Sequence, residues 1–168
     1  MKHTSLEHLL QHEIQDLFSA ENQVLKVLPQ MSKAATHVEL KSALREHLQE
    51  TKMHALRLHK IASKMDQSLD HHHCRGMEIL IDETTALFGN DIDENVLDAA
   101  LISVAQRIEH YEIAAYGSAW TLASRLGHHE TAALLRETLD EEKRTDARLT
   151  EIAEAAVNED AAVSSQTT

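Results

Sequence analysis

The amino-acid sequence predicts an all-α protein in which four long helices form a bundle. Composition is the first reason, because 168 residues include only 4 glycines and 1 proline, and aromatic residues make up 3%. Alanine, leucine, glutamate, histidine and lysine fill most of the rest, which is typical of helical proteins. The second reason is that apolar residues recur at three- and four-residue spacing in four long segments, as on one buried face of a helix. The third reason is an internal repeat.

The charge of the chain excludes several classes of partner. It has 28 acidic residues against 16 basic ones, a formal net charge of −12, and no block of lysine or arginine. A surface for nucleic acid or for an anionic membrane is therefore not expected. The N-terminal segment lacks the apolar core of a signal peptide, and no apolar run reaches the roughly 18 residues of a membrane span. We expect a cytoplasmic protein that has neither a membrane nor a nucleic acid as partner.

The first helix is predicted to begin at a capping box formed by Thr4 and Glu7 and to run to about Ala35. Pro29 should bend this helix rather than end it, because the periodicity continues beyond it; a full stop at Pro29 is the alternative. One acidic residue, Glu21, falls on the buried stripe. The apolar members of that stripe are Leu10, Ile14, Leu17, Leu25, Leu28 and Met31.

The second helix is predicted over about 38 to 64, because Thr36 and Glu39 repeat the capping-box spacing. Glu50 borders its buried stripe, and His54 lies one turn further along on the same side. The stripe consists of Leu40, Leu44, His47/Leu48, Thr51, His54/Ala55, Leu58 and Ile61/Ala62.

The polar break after the second helix contains three consecutive histidines and the single cysteine of the chain: His71, His72, His73 and Cys74. Neighbouring loop residues do not easily converge on one ion, so we expect a solvated loop rather than a second metal site. A lone cysteine also excludes an internal disulfide and a CxxC motif. A short helix follows from Arg75 or Met77 to Phe88, and Gly89 with Asn90 suits its end.

The third long helix is predicted over about 95 to 126, with Asp91 or Asp93 as its cap and Gly127 at its end. The fourth is predicted over about 129 to 156. Its stripe consists of Leu135, Leu139, Glu142, Asp146, Leu149 and Ala153. These helices form one predicted domain over residues 1–157, and a flexible tail is predicted over 158–168, where the periodicity is lost.

The two halves of the chain match at a constant offset of 91 residues. Shared helix composition does not explain a run of charged and apolar identities in one register, so we infer a duplicated helix hairpin. The long connection between the hairpins holds its own short helix. This describes a ferritin-like four-helix bundle, whose second and third long helices run parallel. The matched pairs include Glu21 and Glu112, His37 and His128, Glu39 and Glu130, Glu50 and Glu141, Lys52 and Lys143, and Arg57 and Arg148.

Two carboxylates of the third long helix fall on a face whose other residues are typical of the buried core. Glu109 and Glu112 are three residues apart and project from nearly the same side. Burying an unpaired ionised carboxylate costs several kcal/mol or more, so these groups require compensation. Tyr111 and Tyr116 can donate hydrogen bonds to such carboxylates. The rest of the face carries Ile102, Ala105, Ala119 and Ala123.

The repeat places four glutamates near the midpoints of the long helices, where a bundle brings them together: Glu21, Glu50, Glu112 and Glu141. Four like charges in a dry interior are tolerable when two divalent cations lie between them. His54, four residues after Glu50, reaches the same face and can add a nitrogen ligand. Oxygen-rich ligation with a few imidazoles favours iron, with manganese, magnesium and zinc as alternatives.

The fourth long helix offers two sets of ligands, and both remain open. The register of the repeat favours Glu141, whereas the core stripe favours Glu142 with Asp146. The histidine that follows the ligand glutamate by three residues in many dimetal bundles is absent from both halves. Its positions are taken by Met53 and Arg144.

Four motifs resemble the YciF/YciE family of small bacterial stress-associated proteins: SAENQ around Glu21, HLQETKMH around Glu50, AQRIEHYEIAAYG around Glu112, and ETLDEEKRTDARL on the fourth long helix. The resemblance covers about residues 5 to 155. It implies a ferritin-like bundle with a rubrerythrin-like dimetal centre, in a homodimer. The Glu109 and Glu112 pair also resembles rubrerythrin, whereas the missing histidines depart from it.

The expected function is that of a dimetal-carboxylate protein that binds two iron or manganese ions and acts in stress protection by oxygen, peroxide or ferroxidase-type chemistry. The alternative is a non-enzymatic structural or interaction protein whose metal site is stabilising or vestigial. No catalytic residue is assigned beyond the metal ligands. The candidate ligands are Glu21, Glu50, His54, Glu109, Glu112, Glu141, Glu142 and Asp146.

Overall fold

A computed structural model describes residues 5–70, 72–89 and 92–164, and every regular element in these ranges is helical. The helices are α1 (Leu6–Ala34), α2 (Val38–Lys64), α3 (Arg75–Ala86), α4 (Glu94–Leu126), α5 (His129–Ile152) and α6 (Asn158–Ser164), with a 3-10 turn at Leu87–Gly89 and a π-helical turn at Ala153–Val157. The predicted all-α class is confirmed. No helix in the described ranges combines the length and the apolar character needed to cross a membrane.

Contacts between α1 and α4 establish that these helices run antiparallel. Near the start of α1, Glu7 Oε2 lies 3.0 Å from His128 Nε2, just beyond the end of α4. Further along α1, Asp16 Oδ2 accepts a hydrogen bond from Tyr111 Oη at 2.8 Å. The partner numbers fall along α4 as the α1 numbers rise, so the two helices point in opposite directions.

The helices α2 and α5 are antiparallel for the same reason. Glu46 pairs with Arg148, and Lys64 pairs with Glu130. The short connection after α1 makes α2 antiparallel to α1 as well, so α2 and α4 run parallel across the bundle. This is the predicted ferritin-like bundle with a long crossover that carries a short fifth helix, α3.

The start of α1 differs from the predicted capping box. Ser5 is the N-cap residue, and its side chain accepts a hydrogen bond from the backbone N–H of His8. Thr4, the predicted cap, lies outside the described residues. Pro29 lies inside α1, which continues to Ala34, so the prediction that this proline does not end the helix is confirmed.

The predicted capping box of Thr36 and Glu39 at the start of α2 is wrong. His37 is the N-cap residue and makes no side-chain cap, and the hydroxyl of Thr36 donates instead to Asp98 Oδ2 at 2.6 Å. Asp98, a buried residue of α4, also accepts from the backbone N–H of Thr36 at 2.9 Å and of His37 at 2.7 Å. A carboxylate from another helix thus replaces the local cap, because it accepts hydrogen bonds from the backbone N–H groups at the start of α2.

The crossover is anchored by Cys74, whose thiol caps α3 and is buried. Its Sγ lies 3.1 Å from Asp16 Oδ2 and 2.9 Å from Tyr111 Oη, while His72 Nε2 lies 2.8 Å from Asp16 Oδ1. The prediction of a solvated loop is therefore wrong for Cys74, because its polar partners belong to α1 and α4. His71 lies outside the described residues.

The third long helix, α4, matches its predicted bounds at both ends, whereas the fourth, α5, begins as predicted and ends at Ile152 rather than at about 156. Asp93 caps α4, and Gly127 ends it with a φ of 80°, a left-handed conformation that favours glycine. The alternative cap, Asp91, and Asn90 lie outside the described residues.

The C-terminal segment has more structure than the loss of periodicity predicted. After α5 the chain makes a π-helical turn and continues as α6, which packs against α4. Val157, between these elements, is buried in the core. Residues 165–168 lie outside the described residues, and the division at residue 157 stays a prediction.

Two apolar clusters fill the bundle and leave a polar layer between them. The first apolar cluster includes Val24, Val27, Met31, Leu40, Leu44, Leu101, Ile108 and Leu149. The second apolar cluster includes Leu10, Ile14, Leu17, Leu58, Ile61, Ala119, Leu135 and Leu139. The charged residues between them therefore lie in an environment that water does not readily enter.

Candidate metal centre

Six ionisable side chains from four helices meet in the polar layer at the middle of the bundle. All six are almost completely buried, at most 2% exposed. They are Glu21 of α1, His47 and His54 of α2, Glu109 and Glu112 of α4, and Glu142 of α5. The layer therefore combines four carboxylates with two imidazoles.

These side chains form two groups whose geometry could hold metal ions. The first group is His47, Glu109, Glu112 and Glu142, and the second is Glu21, His54 and Glu142. In each group the potential ligand atoms lie within 4.8 Å of one another. Glu142 belongs to both groups, which is the position of a carboxylate that bridges two ions.

Most of the polar atoms in these groups have no hydrogen-bond partner in the described part of the chain. Both oxygens of Glu112 and both of Glu142 lack one, as do Oε2 of Glu21 and Oε2 of Glu109. Buried polar atoms are almost always satisfied in folded proteins, because an unpaired one costs free energy. A set of unpaired oxygens at one point is the arrangement expected where cations complete the interactions.

The two histidines direct one nitrogen each toward the carboxylates. His47 Nε2 lies 3.1 Å from Glu109 Oε1, and His54 Nδ1 lies 2.8 Å from Glu142 Oε1. Within the described residues, neither nitrogen has a hydrogen-bond partner. His54 Nδ1 also lies 3.5 Å from Oε1 of Glu21, so it faces two carboxylates of the second group at once.

Tyr116 supports the second group from α4. Its hydroxyl donates a hydrogen bond of 2.5 Å to Glu21 Oε1, and the tyrosine is itself buried. Short hydrogen bonds to ligand carboxylates orient them and lower their basicity. The other tyrosine, Tyr111, contacts Asp16 and Cys74 and not the centre.

The opposite nitrogen of His54 is held by Glu141. His54 Nε2 lies 2.9 Å from Glu141 Oε2, and the guanidinium of Arg57 donates to both oxygens of the same carboxylate. Burial alone would raise the pKa of Glu141, but Arg57 outweighs it and keeps that pKa below its usual value. An ionised carboxylate only accepts, so Nε2 of His54 must carry the proton that it donates. The inner nitrogen, Nδ1, is left to face the two carboxylates.

Burial and like charges raise the pKa values of the central glutamates. The pKa of Glu112 lies well above its usual range, first because of burial and then because of repulsion from Glu21 and Glu142. Burial also raises the pKa values of Glu21 and Glu142. Without cations, these carboxyl groups therefore retain protons more readily than ordinary glutamates do.

Nearby carboxylates raise the pKa values of the two histidines, so these residues hold protons more firmly. Burial would lower the pKa of His54, but its contacts with Glu142 and Glu21 raise it to about 10. Burial opposes the charging of His47 too, and the carboxylate of Glu109 nevertheless raises the pKa of His47 well above its usual value. In the absence of metal, protons on the imidazoles supply the positive charge that the carboxylates require.

Three of the predicted ligands lie outside both groups. Glu50 is 41% exposed and accepts a hydrogen bond from Thr145. Glu141 is held by Arg57 at the edge of the centre. Asp146 accepts from Gln106 Nε2 at 3.1 Å and lies 3.2 Å from His110 Nε2, on the outer side of α4 and α5. The predicted residues that the structure does bring together are Glu21, His54, Glu109, Glu112 and Glu142.

His47 completes the first group and was not among the predicted ligands. The sequence predicts His47 only as a member of the buried stripe of the second helix. A signal was present, because His47 and His54 are seven residues apart and therefore lie on the same helical face. When two histidines at this spacing lie opposite buried glutamates, they indicate a metal site more strongly than either histidine does alone.

The donor set fits hard or borderline divalent cations. Four ionised carboxylates carry a formal charge of −4, which two divalent ions would neutralise. Carboxylate oxygens with a minority of imidazole nitrogens favour iron, manganese or zinc over thiolate-preferring metals. The residues present therefore fit a pair of cations, and Glu142 would be shared between them.

Comparison with known proteins places the chain among bacterial proteins of the same length. A family model described as "Domain of unknown function (DUF892)" matches residues 5–162. The protein YciF of Escherichia coli (strain K12) is 38% identical over 162 residues, which cover 96% of this chain and 98% of that protein.

Solved structures agree with this relationship. The crystal structure of the E. coli stress protein YciF has a TM-score of 0.88 at 38% identity and covers 92% of this chain and 98% of its own. YcfI of Rhodopseudomonas palustris, described as a candidate structural protein, has a TM-score of 0.84 at 37% identity and covers 88% of this chain and 94% of its own. A protein of Xanthomonas campestris shares the fold at 20% identity, with a TM-score of 0.76 over 98% of this chain and 100% of its own.

Proposed function

This chain belongs to the DUF892 family, and we propose that it is a dimetal-carboxylate protein that binds two divalent ions at the buried centre. Iron is the metal proposed first, with manganese as the alternative, and the proposed role is protection of a stressed cell by oxygen, peroxide or ferroxidase-type chemistry. The similarity to the stress protein YciF supports the role. The homodimer that the sequence resemblance implies is part of the same proposal.

One observation carries the proposal. Glu112 and Glu142 are fully buried, and none of their four carboxylate oxygens has a hydrogen-bond partner in the described part of the chain. A structural role for these glutamates would require donors opposite them, such as the pairing of Arg57 with Glu141. Their direct neighbours are instead other carboxylates and two imidazoles, a combination that cations stabilise.

Several residues of the centre have distinct tasks in this proposal. Bound iron would supply redox chemistry with oxygen or peroxide. Glu142 lies between the two groups and would hold both ions, while Glu112 and Glu21 would each hold one. Tyr116 orients Glu21 through its hydroxyl. The apolar clusters above and below the polar layer exclude water from the centre.

The outer residues would orient the ligands. Glu141 and Arg57 hold the ring of His54 so that Nδ1 faces the centre. Glu50 and Asp146, which the sequence also predicts as ligands, lie at the periphery and outside the proposed set of ligands.

Metal analysis of the purified protein tests the proposal. Chain produced with iron or manganese in the medium is expected to contain two ions per chain by elemental analysis, and Glu112→Ala is expected to contain fewer. The iron-loaded protein should consume oxygen or peroxide faster than the same concentration of free iron. Turnover equal to that of free iron would refute the redox role, and a metal content near zero would refute the centre itself.

The second candidate function is that of a structural or interaction protein whose fold is stabilised by bound metal. The description of the R. palustris relative as a candidate structural protein favours it. The buried centre joins α1, α2, α4 and α5, so ions there would hold the bundle together. Under this alternative, removal of the metal would lower the unfolding temperature while the loaded protein shows no turnover. Both functions therefore predict that metal raises the unfolding temperature, but only the first predicts turnover by the metal-loaded protein.

A further inference from the structure

Glu50 and Glu141 occupy matched positions in the duplicated hairpins but have different neighbours. Glu141 is bound by Arg57 of the other hairpin. The matched arginine, Arg148, pairs with Glu46 instead. In the described part of the chain, no arginine or lysine lies within ion-pair distance of the Glu50 carboxylate. Arg144 and Arg148 act on Glu50 only from beyond ion-pair distance, so one of the two matched carboxylates has a direct arginine partner and the other does not.

The face formed by α2 and α5 is a side of the centre on which no further helix packs in the described ranges. The two apolar clusters close the bundle above and below the polar layer. The crossover helix α3 packs on α1 and α4 and covers that face. In the described ranges, no comparable helix packs across α2 and α5. Glu50 lies on this open face, with its side chain 41% exposed.

A series of polar atoms leads from Glu50 to the centre. Thr145 Oγ1 lies 3.4 Å from Glu50 Oε2 and 3.4 Å from His47 Nδ1. Glu50 Oε2 is itself 3.8 Å from His47 Nδ1, and that nitrogen is 4.0 Å from Glu142 Oε2. The oxygens of Glu142 are fully buried, face the imidazoles of His54 and His47, and lie at the inner end of the series.

Asp146, the other partly exposed carboxylate near the centre, lacks such a connection. Its oxygens are engaged by Gln106 and His110 on the outer side of α4. In the described part of the chain, neither the Gln106 nor the His110 side chain hydrogen-bonds a residue of the two metal groups. The face between α4 and α5 is therefore closed by satisfied surface interactions.

We propose that Glu50, His47 and Thr145 form an access site at which hydrated divalent cations bind before they pass between α2 and α5 into the centre. This inference rests on the proposed dimetal function. The carboxylate attracts the ion from water, and the Thr145 hydroxyl oxygen replaces one of its water ligands. His47 does the same after it has released a proton, and the steps are at most 4.0 Å. Once the ion has reached Glu142, Glu50 no longer contributes to its binding.

A group that acts only during passage changes rates and leaves the affinity unchanged. Stopped-flow absorbance can monitor the binding of Co²⁺, used as the probe, to the full metal-free chain. This measurement gives the rate constants separately from the dissociation constant. In Glu50→Gln, the association and dissociation rate constants are both expected to fall on the order of tenfold, the lower range for local electrostatic attraction of an ion. The dissociation constant and the number of bound ions should equal those of the parent chain.

The matched control is Glu39→Gln, which removes the same charge from an exposed position on the same helix. The rate constants of Glu39→Gln should equal those of the parent chain. This comparison separates the effect of a charge at the access site from the effect of the net charge of the protein. Unchanged rates in Glu50→Gln would overturn the access site, and so would a weakened affinity with faster dissociation, which would make Glu50 a ligand of the bound ion. Failure of the parent chain to bind cobalt would instead refute the proposed function, and the access site with it.

Discussion

His54 and Glu141 form a carboxylate–imidazole pair at the edge of the buried centre, with His54 Nε2 2.9 Å from Glu141 Oε2. Glu141 is kept ionised by Arg57, so the proton of this pair resides on the histidine. Metal-binding histidines commonly donate their second N–H to a carboxylate in this way, which fixes the orientation of the ring. The pair therefore links an ion pair near the surface to a ligand nitrogen in the interior.

The first prediction concerns that pair. Glu141→Gln should weaken metal binding by about 10- to 100-fold, the usual effect of losing a partner that orients a metal ligand. The amide cannot hold the His54 proton as firmly, and Arg57 loses its ionised partner. A competition titration with a chromophoric chelator measures the change. Asp140→Asn, at the neighbouring and exposed position of α5, should bind metal as the parent does; equal losses in both variants would contradict the prediction.

The second prediction concerns Glu112 in the metal-free protein. Glu112→Gln should raise the free energy of unfolding at pH 8 by about 1–3 kcal/mol, because it removes a buried carboxyl group that has no partner. The same variant should bind metal more weakly. Urea unfolding after exhaustive chelation gives the first quantity, with Glu39→Gln as a surface control expected within about 0.5 kcal/mol of the parent. A destabilised metal-free Glu112→Gln would mean that the carboxylate has a structural partner.

The third prediction concerns stabilisation by metal. Ligand at 100 times its dissociation constant stabilises the folded state by about 2.7 kcal/mol. For a chain of this size, each bound ion then corresponds to a rise in the unfolding temperature of about 5–10 °C, and two ions to about twice that rise. Thermal unfolding with and without Mn²⁺ should show the rise, and EDTA should reverse it. Identical melting curves in Mn²⁺ and in EDTA would count against a folded-state metal site.

The fourth prediction concerns pH. In the metal-free protein, the folded state holds protons on Glu112, His47 and His54 that the unfolded chain has already released. The folded state then binds more protons, so the free energy of unfolding should fall as the pH rises. For His54 the loss extends from its ordinary pKa of 6.5 to about 10.

Bound metal should reverse this slope. Cations displace those protons, so metal affinity rises with pH and the loaded protein does not lose stability over the same range. Urea unfolding of metal-free and metal-loaded protein at a series of pH values above 6.5 compares the two. A metal-free protein whose stability is independent of pH in this range would be inconsistent with the buried histidine–glutamate contacts.

The fifth prediction concerns the hydrogen bond from Tyr116 to Glu21. Burial raises the pKa of Glu21, and the Tyr116 hydroxyl counteracts that rise. Tyr116→Phe should raise the pKa of Glu21 further, so metal must compete with a more tightly held proton. Metal affinity should therefore fall more at pH 6 than at pH 8. Tyr111→Phe, which loses contacts with Asp16 and Cys74 outside the centre, provides the control and should keep the parent's pH profile.

Helix positions followed from local periodicity with few errors. The bounds of α2, the continuation of α1 past Pro29 and the end of α4 at Gly127 all depend on residues that are near one another in sequence. Helical spacing and the φ preference of glycine act over a few residues, so a sequence records them directly. The caps were less predictable, because Asp98 reaches the start of α2 from another helix.

Two features of the sequence predicted contacts between distant helices. They are the duplication and the presence of charged residues on buried helix faces. The repeat indicated that glutamates from different helices meet, and Glu21 and Glu112 do lie together in the interior. Its register, however, selected Glu50 and Glu141, which are exposed or bound by arginine. The two hairpins pack with different neighbours, so matched positions in the sequence need not have matched surroundings.

The amino-acid pattern was therefore sufficient for the four long helices, for their charged inner faces and for the presence of a carboxylate-rich centre. It was not sufficient for the choice between Glu141 and Glu142, or for the inclusion of His47. Neighbouring positions on a helix differ in direction by about 100°. A small rotation of α5 thus exchanges which of two adjacent carboxylates is buried, and that rotation is set by packing against residues distant in the chain.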